Sequence, residues 1–273
     1  MSGIAWSGLT HRGRVRPNNE DNFLALTVEG HSVHYLGKTG ELLLEESDFV
    51  FAVSDGMGGE RSGEFASRFA VDRITRLLPR GFRLGASGWS AGYEDLLSEL
   101  MHAIHEDLLQ LGASYEECAG MGATLSLAWF TPGKMHFSHV GDSRIYALAR
   151  EPVEGEPALV QLTHDHTHVG WLRRTGQISE REARSHPRKN ALSQALGAGQ
   201  QFLEPQIGAI DCRPGDRFLL CTDGVTEALW DRRLAALLAT PGPVADLASQ
   251  IVNEAVSESG KDNTTAIAIE IRG

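Results

Sequence analysis

Cysteine is scarce in this chain of 273 residues: Cys118, Cys212 and Cys221 are too few and too scattered for a disulfide framework or a zinc cage. Long apolar stretches are missing too. The run Met121 to Gly133 falls short of the roughly 18 apolar residues needed to cross a bilayer. The start, Met1 to Arg12, carries neither a basic leader nor a sustained apolar segment. The expectation is a cytoplasmic protein with no membrane contact. Positive charge is in deficit: 25 Lys and Arg against 36 Asp and Glu give a formal net charge of −11. That balance argues against nucleic acid, whose binding rests on neutralising phosphates. Thirty glycines and ten prolines in no repeating triplet exclude a fibrous chain, and 41% hydrophobic with 22% charged residues are globular proportions.

Several catalytic signatures are absent as well. No Gly-x-x-x-x-Gly-Lys phosphate cradle occurs, and Gly56-Met57-Gly58 has Arg61 where a dinucleotide fingerprint needs its third glycine. His105-Glu106 is followed by Leu109 where a zinc helix needs its second histidine. No Cys has Arg six residues later, and no Gly-x-Ser-x-Gly elbow appears. Covalent nucleophilic catalysis therefore has no obvious candidate.

The pattern that is present reads as strands with a few inserted helices. Phe49 to Val53 is a buried strand, and Ala123 to Phe130 with Lys134 to Val140 flank the turn Thr131-Pro132-Gly133 as a hairpin. Arg144 to Ala149, Asp216 to Thr222 and Thr264 to Ile271 are further strands; in Ala266-Ile267-Ala268-Ile269 small and large side chains alternate. Ser32 to Leu36 and Glu41 to Glu45 around Gly37-Lys38-Thr39-Gly40 predict a second hairpin. Helices are predicted from Ser62 to Leu78, stopped by Pro79, through Leu96, Leu100, Ile104, Leu108 and Leu111, stopped by Gly112, and from Pro243 to Val256. Helices grouped between runs of strands make the fold class α+β with antiparallel sheets.

What remains is a set of acidic residues where strands end: Glu20-Asp21, Asp55-Gly56, Asp142, Asp223-Gly224 and Asp262. Any one Asp-Gly is ordinary turn chemistry. Carboxylates converging at one sheet end would instead resist ionisation unless a cation neutralised them, and oxygen ligands alone favour Mg²⁺ or Mn²⁺ over Zn²⁺.

The motifs Asp55-Gly56-Met57-Gly58-Gly59, Gly122-Ala123-Thr124, Gly141-Asp142-Ser143-Arg144, Leu162-Thr163-His164-Asp165-His166, Asn190-Ala191-Leu192 with Ala195-Leu196-Gly197, and Thr222-Asp223-Gly224 follow in that order. With Arg16 to Asp21 before them and Gly260 to Asn263 after, the chain resembles the metal-dependent Ser/Thr protein phosphatases of type 2C, the PPM family, in their bacterial single-domain form. The resemblance implies two antiparallel sheets packed as a central sandwich and flanked by helices, a four-layer αββα arrangement, in one domain spanning 1–273. It implies a centre of two, or with a weaker site three, Mn²⁺ or Mg²⁺ ions. Asp55 and the Gly56 carbonyl, with Asp223 and Asp262, would be ligands; Glu20 and Asp21 would act directly or through water, and Asp142 with Asp223 would hold the third ion. Arg16 would clamp the substrate phosphate, as a guanidinium fork suits a dianion. Hydrolysis of phosphoserine or phosphothreonine by a water between the ions, opposing a Ser/Thr kinase, follows from the resemblance. Met57 stands where some members carry a histidine proposed as general acid, which leaves the source of the leaving-group proton open.

Two further stretches need a reading. His164-Asp165-His166-Thr167-His168 looks like a metal tract, yet three imidazoles so close along a loop cannot all face one ion. Residues 167–190 resemble the family's flap; Arg173, Arg174, Arg181, Arg184, Arg188 and Lys189 stand there against Glu180 and Glu182, a charge suited to phosphorylated segments or to an ordinary solvated surface. Two other functions fit clustered carboxylates or the motifs alone: a two-metal phosphodiesterase or nuclease, and a catalytically inactive phosphoprotein-binding module. The sequence gives no signal for oligomers, so monomer is the default.

Overall fold

The computed structural model of the chain describes residues 3–30, 32–44, 47–58, 62–86, 92–153 and 155–273. Glu45, Gly59 and Arg61 lie outside the described residues. Every strand pairing given below is antiparallel.

One sheet runs in the order β10, β9, β13, β14, β1, β4. These strands are β1 (Gly3–His11), β4 (Thr39–Leu43), β9 (Arg144–Leu148), β10 (Leu159–Gln161), β13 (Arg217–Cys221) and β14 (Thr264–Arg272). The other has eight strands: β11, β6, β5, β7, β8 and β12 along its path, with β2 on β5 and β3 on β2. Their bounds are β2 (Asp21–Glu29), β3 (Ser32–Tyr35), β5 (Asp48–Met57), β6 (Gly122–Ala123), β7 (Leu125–Thr131), β8 (Lys134–Val140), β11 (Leu196–Gly197) and β12 (Gln206–Asp211).

Side chains alternate across a strand, so one strand serves two cores. Along β5, Phe49, Phe51 and Val53 face the other sheet and meet Ile4, Trp6, Phe130, Phe218, Ile267 and Ile269. The residues between them, Val50 and Ala52, face the helices α1 (Ser62–Ala86) and α2 (Tyr93–Ser114), packing with Ile74, Leu97, Met101 and Ile104. On β14 the alternation has a clear use. Ile267, Ile269 and Ile271 fill the inter-sheet core, while the small Ala266 and Ala268 admit α5 (Asp223–Ala228), α6 (Asp231–Ala239) and α7 (Leu247–Glu258) close against the sheet. The result is the expected four-layer αββα sandwich. Edge-to-face rings bind the sheets at its centre, with Phe130 5.9 Å from Phe51 and 5.4 Å from Phe218 between centroids. Among the described residues no helix is long and apolar enough to cross a membrane.

Three local expectations are corrected. The stretches Ser32 to Leu36 and Glu41 to Glu45 do not pair with each other: β3 pairs with β2 through Leu26 and Tyr35, and β4 pairs with β1 through Ile4 and Leu42. Trp6 explains the split, because its ring Nε1 donates to Gly37 O at 2.9 Å and its register partner is Gly40, which fastens the crossing segment to the other sheet. Helix α1 continues through Pro79 to Ala86; an interior proline removes one hydrogen bond without forbidding the next turn. Helix α2 passes Gly112 and ends at Ser114, where the Tyr115 N–H closes the last turn on Leu111 O.

Candidate metal centre

The acidic residues gather at strand ends of both sheets, at one end of the sandwich. Asp55 lies two residues beyond Val53 on the same face of β5, and Asp21, the first residue of β2, is its register partner. The row that is apolar in the core thus turns acidic at its mouth. From the other sheet, Thr222 after β13 and Thr265 at the start of β14 each donate a hydroxyl to Asp21 Oδ2 at 2.7 Å. Asp223 opens α5 directly after Thr222, Asp262 precedes β14, Asp142 follows β8 and Glu20 precedes β2.

Asn263 fixes the loop that carries Arg16 and Glu20. Its Oδ1 accepts the Glu20 N–H at 2.8 Å, and its Nδ2 donates to Arg12 O and Asn18 O, both at 2.9 Å. Thr124 braces the central strand: its N–H donates to Asp55 O at 2.8 Å, its Oγ1 accepts the Asp55 N–H at 2.9 Å, and Ser54 Oγ donates to Thr124 O at 2.6 Å.

These carboxyls act on one another. Desolvation first, then Asp21, Asp223, Asp142 and Asp262, holds Asp55 well above the usual carboxylate range. Asp223 is raised by desolvation and then by Asp142, Asp262, Glu227 and Asp21. Desolvation lifts Asp21 to about 7 against the pull of Thr265 and Thr222. It lifts Asp142 to about 7 as well, with Asp165 adding and Arg144 opposing. Glu20 is raised by partial burial, which Arg16 offsets in part. Such a site is short of positive charge.

The residues present fit hard divalent cations. Asp21 Oδ1 and Asp223 Oδ1 are buried with no hydrogen-bond partner, and the donor set is oxygen throughout. Gly63, in the first turn of α1, leaves room between two further oxygens: a Cβ there would stand 2.7 Å from Glu20 Oε1 and 2.9 Å from the Gly56 carbonyl oxygen. Among the described residues no three His, Cys, Asp or Glu side chains are already closed into a coordination shell, so the cluster gathers donors without pre-forming a cage. Gly56 is equally confined, since a Cβ on it would fall 1.9 Å from Gly63 O, a backbone atom. Gly56→Ala should therefore push α1 off β5 and cost roughly 1–3 kcal/mol, the range for overpacking. Thermal unfolding in EDTA checks this; an unchanged melting temperature would show the contact to be slack.

Arg16 reaches the cluster but is engaged there: its Nη2 donates to Asp262 Oδ2 at 2.8 Å, and Glu20 and Asp55 add to the field around it. The sequence did not disclose this pairing of the phosphate-clamp candidate with a ligand candidate.

The histidine tract is engaged with the protein itself. Asp165 forms a two-pronged bond with Arg144 at 2.8 and 2.6 Å, and His166 Nδ1 accepts the Gly141 N–H at 3.2 Å. The basic segment after it folds into α3 (His168–Arg174) and α4 (Glu180–Ser185), and half its cations are paired. Arg173 bonds Asp231, and Lys189 bonds Glu227. Arg184 bonds Glu180 at 3.1 Å and lies 4.2 Å over the Trp230 ring. Arg174, Arg181 and Arg188 remain exposed. Between this segment and the acidic mouth lies a small cleft of about 90 Å³, lined by Asp142, Asp223 and Glu227 together with Arg173, Arg184 and Lys189.

A four-layer αββα sandwich with carboxylates at the mouth between its sheets is the build of a metal-dependent phosphatase. Comparison with known proteins narrows the class. Residues 42–261 match the family model described as Protein phosphatase 2C. The chain is 31% identical over 262 residues to the serine/threonine phosphatase stp of Listeria monocytogenes, covering 96% of this chain and 93% of the relative. It superposes on the crystal structure of the Mycobacterium tuberculosis serine/threonine phosphatase PstP/Ppp with TM-score 0.78 at 28% identity, over 99% of this chain and 100% of that one. A second structure, the PstP catalytic domain in complex with two manganese ions, matches with TM-score 0.73 at 29% identity over 100% of both chains. The chain belongs to the protein phosphatase 2C family.

Proposed function

We propose that the chain hydrolyses phosphoserine and phosphothreonine in proteins with Mn²⁺ or Mg²⁺ at the mouth of the sandwich, opposing a Ser/Thr kinase in the cytoplasm. Membership of the family makes it a metal-dependent protein phosphatase. The observation that carries the site is the group of mutually raised carboxyls with the orphan oxygens Asp21 Oδ1 and Asp223 Oδ1 among them.

Asp55, the Gly56 carbonyl, Asp223 and Asp262 would hold two ions, with Glu20 and Asp21 beside them directly or through water; Asp142 with Asp223 would hold a third. When bound, such ions supply an activated water and offset charge on the phosphoryl oxygens. The chain's own residues do the positioning. Thr222 and Thr265 fix one oxygen of Asp21 and so aim the other into the mouth. Thr124 fixes the backbone of Asp55 on both sides. Arg16 is half-exposed, and beyond its single bond to Asp262 its N–H groups meet no other acceptor among the described residues. Those donors can take two phosphate oxygens while Asp262 steadies the guanidinium.

Release of phosphate from a phosphothreonine peptide with Mn²⁺, and none with EDTA, tests the reading. Nicking of a plasmid without phosphate release would replace it with a phosphodiesterase. Arg16→Gln removes a charged bond of roughly 1.5–3 kcal/mol. Because Arg16 would touch phosphate in ground and transition state alike, KM should rise about tenfold or more while kcat moves far less. A loss confined to kcat would give Arg16 another role.

A further inference from the structure

The histidine tract has a use once its partners are traced. His139, fully buried on β8, has Nδ1 2.8 Å from Ser126 Oγ and Nε2 3.0 Å from Gly141 O and 3.1 Å from His164 O. Both carbonyls can only accept, so Nε2 carries the hydrogen and the Ser126 hydroxyl donates to Nδ1. On the other side of the same turn, Gly141 N–H donates to His166 Nδ1 at 3.2 Å, which places the His166 hydrogen on Nε2. The backbone adds a third tie, His166 N–H to Gly141 O at 2.7 Å.

Gly141 is therefore gripped through its N–H by one imidazole and through its C=O by the other. It stands at φ 111°, and a Cβ on it would fall 2.6 Å from Thr124 Cβ. Asp142 is the next residue. Ser143, after it, has Oγ 2.7 Å from Thr124 Oγ1, the same hydroxyl oxygen that accepts the Asp55 N–H. Desolvation holds both rings neutral, His139 lowered to about 3 and His166 to about 4, so the donor and acceptor pattern persists across the working range.

His166 also sits where the 167–190 segment leaves and returns. Thr167 caps α3 by accepting the Gly170 N–H at 2.8 Å, and Ser193 N–H donates to His166 O at 2.7 Å.

We infer that His166, backed by His139, is a positioning residue that aims the Asp142 carboxylate at the cation shared with Asp223. This rests on the reading of Asp142 as an ion ligand, so the experiment tests both. Mn²⁺ binding is measured by calorimetry, without substrate, on the wild type, Asp142→Asn, His166→Leu and His166→Asn. Outer ligand partners commonly control metal affinity by 10–100-fold. Asp142→Asn should abolish the weakest Mn²⁺ step. His166→Leu, which cannot accept the Gly141 N–H, should weaken that same step about tenfold and leave tighter steps unchanged. His166→Asn, whose Oδ1 replaces Nδ1 as acceptor, should recover most of that loss. A melting curve in EDTA confirms that each variant is folded; for a misfolded His166→Leu, His166→Gln takes its place, the longer side chain misplacing the acceptor. If Asp142→Asn loses the step while the His166 variants bind as wild type, the positioning role is overturned and the ligand reading stands. If Asp142→Asn itself binds as wild type, both fall.

Discussion

Asp55→Asn is expected to abolish hydrolysis of p-nitrophenyl phosphate and, in the same protein, to raise the melting temperature measured in EDTA. The two effects share one cause. Asp55 stands among Asp21, Asp223, Asp142 and Asp262, and each raises its proton affinity beyond what desolvation does alone. Without a cation, ionising Asp55 opposes the fold, and each unit by which its pKa is raised corresponds to about 1.4 kcal/mol once the pH exceeds it. Asparagine keeps the shape and removes the charge. Each kcal/mol regained is worth about 2–4 °C in a chain of this size. Catalysis moves the other way. Metal ions supply several kcal/mol of transition-state stabilisation, and about 1.4 kcal/mol is tenfold in rate, so turnover should fall on the order of a thousandfold. A variant that keeps its turnover removes Asp55 from the centre. One that melts lower in EDTA shows that the carboxylate supports the fold.

Much of this was legible in the chain. The strands follow from their residues: Phe49 to Val53 reads as a buried strand and Ala266-Ile267-Ala268-Ile269 alternates small with large. The sandwich came from the family resemblance, and the structure shows which face of each strand meets helices. Acidic residues directly after such strands had to emerge at a sheet end, and the structure places Asp21 and Asp55 opposite each other there. The misses have physical causes. The stretch from Ser32 to Leu43 offered two strands and a glycine turn, but an indole 31 residues upstream of Gly37 decided the pairing. Gly112 carried a helix-stop signal, yet the helix runs on to Ser114, where the Tyr115 N–H closes the last turn on Leu111 O. The Arg16–Asp262 pair joins residues 246 apart, and Asn263 reaches back 245 residues to Asn18; no local spacing encodes such contacts. The bond from the Gly141 N–H to His166 Nδ1 was not legible either, because residue type says nothing about whether a ring nitrogen faces an ion or a peptide N–H.

In EDTA the melting temperature should fall as the pH is raised from about 6.5 to 8, and Mn²⁺ should oppose that fall. Asp21 and Asp142 are lifted from the ordinary range near 4 to about 7 in the folded chain. A raised carboxyl lends stability that is complete below its unfolded value and is lost as the pH climbs through the folded one. Asp55 and Asp223 are raised in the same sense and add to the loss. His139 and His166 act oppositely. Lowered to about 3 and 4, they stay neutral when folded and take up protons on unfolding, which destabilises the fold as the pH drops below about 6.5. Above that value the two histidines are neutral in both states, so carboxylate repulsion governs the slope. Over this window the two carboxyls near 7 cost roughly 1 kcal/mol each, equivalent to about 2–4 °C per kcal/mol. A cation that needs ionised ligands binds better as the pH rises, and binding to the folded state alone adds about 2.7 kcal/mol at a hundredfold excess over Kd. The gap between Mn²⁺-loaded and metal-free melting temperatures should therefore widen from pH 6.5 to 8. A metal-free melting temperature that is flat or rises across that window would mean that the carboxyls at the mouth are already neutralised by cations of the protein itself, Arg16 beside Asp262 and Arg144 near Asp142 among them.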